Sequence, residues 1–253
     1  MRHAAAYSSN GLAVDRDAGN AEPVLLTTEA DAAFRDFVLA PDFPCVGAKA
    51  AFNAGSYVLS VYDELASAAS TETLARDLYR FTRSDLRQTS EYATFVAVFR
   101  APAEDDELRF EGKMWRQLSE LNRLDAAKFS WDASVRSDPA DPQFSFSFAG
   151  QALYVIGLHP NSSRIARRFA WPTLIFNPHE QFERLRADGK WKRMQQTIRE
   201  RDAELQGSIN PMLSDFGESS EARQYSGRAV EEDWQPPFAA VKPAAAGKCP
   251  FHH

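Results

Sequence analysis

A histidine, two serines and three arginines lie close together in the stretch GLHPNSSRIARRF, from Gly157 to Phe169. His159 stands where an apolar run ends, and the residues after it predict a short helix with Asn161 or Ser162 as its N-cap. On such a helix, arginines at i, i+3 and i+4 form one positive face. A phosphate, a metal ion or a heme would each use part of this set, which comprises His159, Ser162, Ser163, Arg164, Arg167 and Arg168.

The strands before this stretch predict which way His159 faces. The segment QFSFSFAGQALYVIGLH is typical of a β-hairpin, because Gly150-Gln151 suits a two-residue type II′ turn. Side-chain alternation then puts Phe146, Phe148 and Val155 on one face together with His159. Heme has a wide apolar ring, an iron that accepts imidazole and carboxylates that pair with arginine. The hairpin therefore predicts a heme site, with His159 as the iron ligand.

Two other interpretations of this stretch stay open. In one, His159 only ends a strand and the arginines pair with surface acids, which is common for a lone histidine. In the other, the serines and the helix N-terminus bind an anion, although no glycine-rich phosphate loop precedes them.

A cysteine in the segment DFPCVGAKAAF competes with His159 for the iron. Cys45 stands at a predicted helix start, where free N–H groups and the helix dipole would lower the pKa of a thiol. Gly47 would let a flat cofactor approach the backbone, and a thiolate ligand assists O–O cleavage. We favour His159 by its position and keep Cys45 as a cofactor-binding residue. His179 and Cys249 remain weaker alternatives, and the terminal His252-His253 pair receives no metal.

A second histidine begins the predicted helix after the strand LIFNP. At a helix N-terminus His179 is expected to be neutral, and therefore able to bind or to accept a proton. Glu180 and Glu183 follow on the same helix and could meet a cationic substrate. These three are the candidate catalytic residues.

The elements around these residues indicate an α+β chain. Residues 1–27 lack an apolar period and are expected to form a mobile leader, so that residues 28–253 make a single domain. The domain would begin with helices from Thr28, from Val46 to about Ala69, and in TETLARDLYRFTRSDL. A small, mostly antiparallel sheet follows, then a long helix interrupted near Gly189 and an irregular tail.

The composition limits the partners and the cellular location that we expect for this chain. The net charge is −6 and the sequence pI is about 5.5, which argues against nucleic acid or a membrane surface as a partner. No apolar run approaches a bilayer span, and no signal peptide is evident. With only two cysteines, the chain has no disulfide framework, so a cytoplasmic location is expected.

Several separated blocks carry a resemblance to a known family. The segments DFPCVGAKAAF, GLHPNSSRIARRF with the following WPTLIFNPHEQFERLR, QGSINPML, EARQYSGR and the final CPF resemble the YqcI/YcgG family. Its characterised members are heme-dependent guanidine N-hydroxylases, such as pre-guanitoxin N-hydroxylase and the arginine N-hydroxylase of D-cycloserine biosynthesis. The residue types and spacing in QGSINPML and EARQYSGR do not by themselves indicate any chemistry.

The resemblance implies an enzyme that binds heme b and inserts one oxygen atom from O2 into an N–H bond of L-arginine or a related guanidino amino acid. Electrons would come from a ferredoxin or a similar donor, because the chain has no flavin or nicotinamide fingerprint. A heme-binding sensor or carrier without turnover is the alternative, and an anion- or nucleotide-binding enzyme is a third. The oligomeric state stays open, with a homodimer among the options.

Overall fold

The computed structural model describes residues 6–7, 13–14, 21–103 and 105–241. Its strands are β1 (Ala6–Tyr7), β2 (Ala13–Val14), β3 (Tyr57–Glu64), β4 (Thr94–Ala101), β5 (Phe146–Phe148), β6 (Gln151–Leu158) and β7 (Thr173–Pro178). Its α-helices are α1 (Ala21–Leu39), α2 (Val46–Asn53), α3 (Ala68–Thr82), α4 (Asp85–Thr89), α5 (Glu107–Asp125), α6 (His179–Ala187), α7 (Trp191–Gln206) and α8 (Ala222–Tyr225). A 3₁₀ turn covers Ile165–Arg167.

The strands form one sheet in the order β2-β1-β3-β4-β7-β6-β5. Only β3 and β4 run parallel, and every other neighbouring pair is antiparallel. The parallel pair needs a crossover connection, which α3 supplies. The predicted α+β class with a mostly antiparallel sheet is confirmed.

Helices cover both faces of the sheet. Alternation along β4 sends Phe95 and Phe99 to one face and Val96 and Val98 to the other. The first face packs against α3 and α5, and the second packs against α1 and α2. The strands are therefore apolar on both sides, and a cavity on either face lies between the sheet and helices.

Two predicted helix boundaries differ from the structure. Helix α1 begins at Ala21 rather than Thr28, and Pro23 is tolerated there because the first-turn N–H groups need no intrahelical partner. Of the predicted leader, residues 1–5, 8–12 and 15–20 lie outside the described residues. The helix predicted from Val46 to Ala69 is wrong beyond Asn53: Gly55 turns the chain at φ +63°, and the β-branched and aromatic residues that follow form β3.

The β5–β6 hairpin turns one residue earlier than predicted. Ala149 and Gly150 have φ of 54° and 74°, so the loop has the positive dihedrals of a type I′ turn. Phe146 pairs with Leu153, and Phe148 pairs with Gln151. Relative to the predicted pairing the register moves by two residues, so the side chains keep their predicted faces.

The C-terminal half follows the predicted order. Gly189, at φ +70°, separates α6 from α7, and the chain after Gln206 is irregular apart from α8. Within the described residues, no helix combines the length and the apolar character needed to cross a membrane. Cys249 and His252-His253 lie outside the described residues.

Candidate functional site

A cavity of about 290 Å³ lies on the face of the sheet that carries Val96, Ile156 and Leu158. Helices α1, α2, α6 and α7 surround it, together with the segment that follows α7. Its size is close to the lower end of the range for small-molecule sites, roughly 300–1,000 Å³. The cavity is therefore the candidate ligand site of this chain.

Most of the wall is apolar or aromatic. The strands contribute alternate residues that point away from the α3–α5 side, and the helices contribute the rest. The aromatic members are Phe34, Phe37, Phe43, Phe52, Tyr92, Tyr154, Phe182, Trp191 and Phe216. Such a wall suits a flat apolar ligand.

Cys45 lines this cavity at the start of α2. It is the N-cap of that helix, and its Sγ accepts a hydrogen bond from the N–H of Ala48 at 3.4 Å. The residue is partly buried and is one of those that line the cavity. Burial raises the pKa of the thiol, and the N–H groups of Ala48 and Gly47 and the charge of Arg167 oppose that rise. The predicted lowering of the pKa by the helix start is thus outweighed by burial.

Two of the three clustered arginines also line the cavity. In the 3₁₀ turn, side chains three apart lie on the same side, which places Arg164 and Arg167 together. Arg164 is bound to Asp202 at 2.5 Å and to the carbonyl of Ser208 at 2.9 Å. Arg167 donates to main-chain carbonyls, including that of Gly157 at 3.1 Å. No carboxylate of the described residues lies within ion-pair distance of Arg167, so its charge is available to an anionic group in the cavity.

A polar corner of the cavity contains His179 and Glu221. The Nε2 of His179 lies 3.4 Å from Glu183 Oε1, and its Nδ1 lies 4.0 Å from Glu221 Oε2. Burial lowers the pKa of His179, which disfavours the protonated imidazole. Burial raises the pKa of Glu221 to about 8, against hydrogen bonding that includes the hydroxyl of Tyr225. Both side chains are buried.

His159 lies on the opposite side of the sheet from this cavity. Its side chain is 1% exposed and stacks on Phe110, with ring centroids 4.4 Å apart. Both ring nitrogens lack a hydrogen-bond partner among the described residues, and burial lowers the pKa of the imidazole. The structure does not bring His159 together with the cavity, with Cys45 or with His179.

The predicted phenylalanine face of the hairpin is packed core. Phe146, Phe148 and Val155 do share one face, as the alternation predicts, but that face meets helices and the C-terminal segment. The ring of Phe146, for example, packs against those of Trp131 and Phe238, at 6.1 and 6.2 Å between centroids. These three side chains do not line the cavity, so the placement gives no support for their role as a heme wall.

The remaining predicted site residues face elsewhere. Ser162 is buried outside the cavity, and Ser163 donates to Glu107 Oε1 at the surface. Arg168 is exposed and binds the carbonyl of Ser162. Glu180 is bound to Arg87 and Arg184, and Glu183 is bound to Arg186 and lies near His179. None of these five lines the cavity.

Several polar residues of the cavity were missed at the level of sequence, among them Gln181, Asp202 and Glu221. Asp202 lies on the inward face of α7, where a charged residue resembles the solvent-facing ones around it. Glu221 lies in the segment EARQYSGR, four residues before Tyr225, whose hydroxyl donates to it at 2.7 Å. That i, i+4 spacing in a short helix was the one available signal.

The YqcI/YcgG family model matches residues 34–239, which is most of the 253-residue chain. The chain belongs to the YqcI/YcgG family. The match covers every residue that lines the cavity, from Phe34 to Gln224, and it ends before Cys249. No curated protein and no solved structure matches the chain.

Within the described residues, no group of three or more His, Cys, Asp and Glu side chains could hold a metal ion. A prosthetic group that brings most of its own ligands needs only one protein donor. In the cavity, the side chains of that kind include the thiol of Cys45, the imidazole of His179, the thioether of Met194 and the phenol of Tyr154. The cavity of this YqcI/YcgG family member therefore contains single side chains of the types that bind such a group.

Proposed function

We propose that the chain is a heme-dependent oxygenase that N-hydroxylates a guanidino group, in L-arginine or a related guanidino amino acid. The proposal rests on the side chains that line one cavity. It combines aromatic and aliphatic walls, a thiol at a helix N-cap and an arginine without a carboxylate partner among the described residues. Membership of the YqcI/YcgG family supports it, through the activity that the resemblance implies.

Heme b fits the chemistry of these residues. Cys45 would hold the iron, because it lines the cavity and its Sγ is bound only to backbone N–H groups among the described residues. The charge of the iron would favour the thiolate and offset the effect of burial on the pKa of Cys45. Arg167 would meet a propionate. When bound, heme supplies the activation of O2 that no side chain can provide.

Cys45 replaces His159 as the proposed iron ligand because of position. His159 shares the phenylalanine face of the hairpin, and that face is filled by core side chains. His179 lines the cavity, but its Nε2 is directed to Glu183 and its ring packs on Phe216, at 4.5 Å between centroids. We therefore keep His179 as a polar group on the substrate side.

The side chains of the cavity perform the remaining tasks. Phe34, Phe52 and Trp191 exclude bulk water from the bound ligand, which strengthens the electrostatic interactions made there. The ion pair between Arg164 and Asp202 fixes the 3₁₀ turn against α7 and thereby holds Arg167 at the wall. The neutral imidazole of His179 can exchange a proton with the substrate side of the cavity.

The proposed reaction needs an external supply of electrons. One atom of O2 enters an N–H bond of the guanidino group, and the other is reduced to water, which consumes two protons and two electrons. A ferredoxin or a similar one-electron carrier would deliver those electrons.

The spectrum of the reduced, CO-bound protein tests the assignment of the cofactor and its ligand. We expect the red-shifted Soret band of a thiolate-ligated heme in the parent, in His159→Ala and in Cys249→Ser, and its loss in Cys45→Ser. A histidine-type band in the parent would contradict thiolate ligation. Loss of the band only in Cys249→Ser would move the ligand to the C-terminal tail. No Soret band after heme reconstitution would refute the proposed cofactor.

Turnover distinguishes an oxygenase from a heme-binding sensor or carrier. The reduced protein is incubated with L-arginine, isotopically labelled O2 and a ferredoxin with its reductase. We expect a product that is heavier than arginine by one labelled oxygen atom. A heme-loaded protein that forms no such product would support the non-catalytic alternative.

A further inference from the structure

Among the residues that the structure describes, two carboxylates line the cavity, and they differ in whether they are paired with a cation. Asp202 is bound to Arg164 at 2.5 Å and accepts the N–H of Asn210 at 3.0 Å. Its charge is already balanced inside the protein. Glu221 has no such partner, and it is the carboxylate that remains for a ligand.

Glu221 is held in a fixed orientation at the polar corner. Its side chain is buried, and its Oε1 accepts a hydrogen bond from the hydroxyl of Tyr225 at 2.7 Å. The oxygen of that hydroxyl in turn accepts the N–H of Phe146 at 3.0 Å. Oε2 lies 4.0 Å from His179 Nδ1, which is beyond hydrogen-bonding distance. The groups that hydrogen-bond this carboxylate, the hydroxyls of Tyr225 and Ser145, are uncharged, and no Lys or Arg of the described residues lies within ion-pair distance of it.

The groups around Glu221 do not neutralise an ionised carboxylate. Burial disfavours the protonated form of His179, and Arg186, whose charge acts on Glu221, is itself paired with Glu183. A buried carboxylate without a cation is unfavourable in its ionised form, which agrees with its raised pKa. A cation that enters the cavity would remove this penalty.

A second buried acceptor lines the same cavity. The Oε1 of Gln181 lacks a hydrogen-bond partner among the described residues. A guanidinium is planar and carries several N–H donors, so it can satisfy more than one acceptor at once. Phe182 and Phe216 add aromatic surface that suits a flat cation.

We propose that Glu221 is the residue that binds the guanidinium of the substrate in this cavity and so determines its preference for a cationic over a neutral side chain. The choice of cation rests on the proposed function. Glu180 and Glu183, which the helix pattern suggested for this role, do not line the cavity and are already paired with arginines.

Binding of L-arginine and of L-citrulline, its neutral isostere, tests this assignment without turnover. Affinities are measured by titration calorimetry on the protein as purified, with intrinsic tryptophan fluorescence, to which Trp191 in the cavity wall contributes, as a second readout. For Glu221→Gln we expect arginine affinity to fall about 10- to 100-fold, the range of one charge-assisted hydrogen bond. Citrulline affinity should change by less than about threefold, since Gln keeps the shape and loses the charge.

Glu111→Gln is the matched control. Glu111 is also a buried carboxylate, but it pairs with Arg228 outside the cavity, and its replacement should leave the ratio of arginine to citrulline affinity unchanged. Glu221→Asp keeps the charge and should retain a preference for arginine, which keeps the test valid if Glu221→Gln folds poorly.

Equal loss of both ligands in Glu221→Gln, or parental arginine affinity in that variant, would overturn the assignment. Loss of the preference for arginine in Glu221→Asp would overturn it too. Because these measurements need neither electrons nor O2, they can fail while heme binding and turnover succeed, and the reverse also holds.

Discussion

Replacing Phe146 with alanine tests which face of the β5–β6 hairpin is packed core. The side chain is fully buried, and its ring centroid lies 6.1 to 6.4 Å from those of Trp131, Phe238 and Phe176. Removing such a ring costs about 3–5 kcal/mol of unfolding free energy, and each kcal/mol lowers the Tm of a chain of this size by about 2–4 °C. We expect scanning calorimetry to show a Tm lower by about 6–20 °C. Below that Tm, the proposed heme content per folded chain should equal that of the parent.

Ile156→Phe is the control on the same strand. Ile156 is next to Val155, points to the opposite face and lines the cavity. The larger side chain should lower heme occupancy and leave the Tm within a few degrees of the parent, since it fills open space. The opposite pattern, with Phe146→Ala losing heme at an unchanged Tm and Ile156→Phe keeping it, would refute the placement of the site.

Three further changes test other parts of the structure. In Gly157→Ala the new Cβ would lie 2.8 Å from the ring of Phe110, so urea denaturation should show a loss of about 1–3 kcal/mol, and unchanged stability would contradict this close approach. Asp202→Ala leaves Arg164 buried without its partner and should cost about 3–5 kcal/mol, most of it recovered when Arg164 is also replaced by Met. Burial raises the pKa of Asp125 to about 6. The folded state therefore holds a proton that the unfolded state has lost, and the contribution of Asp125 to stability falls as pH rises from about 4 to 6. Asp125→Asn should remove this part of the pH dependence, and an identical slope in denaturation at pH 4 to 7 would contradict it.

The sequence predicts which side chains share a face of a strand, but it does not predict which of the two faces borders the cavity. The pattern correctly placed Phe146, Phe148 and Val155 on one face, and it kept this result although the turn lies one residue earlier than expected. In a sheet that helices cover on both sides, either face is apolar. Strand alternation therefore cannot tell which face is filled by core side chains and which borders a cavity.

The cavity itself depends on long-range packing. Its walls come from α1, α2, three strands, α6, α7 and the segment after it, and no local pattern indicates that these surfaces leave space between them. The position of Cys45 at the start of α2 could be predicted, because Cys-Val-Gly after a proline is a local helix-start signal. Glu221 could not, because its role depends on burial beside His179, which is 42 positions earlier in the chain. The C-terminal segment that packs under the phenylalanine face is irregular, so periodicity gave no sign of it.

A crystal structure of the heme-loaded protein tests the central claim most directly, because the claim concerns where the cofactor lies. The account predicts planar density between the sheet and helices α1, α2 and α7, against Ile156, with the iron bonded to Cys45 Sγ and a propionate on Arg167. Density against Phe146 and Val155, or an iron bonded to His159, would contradict it.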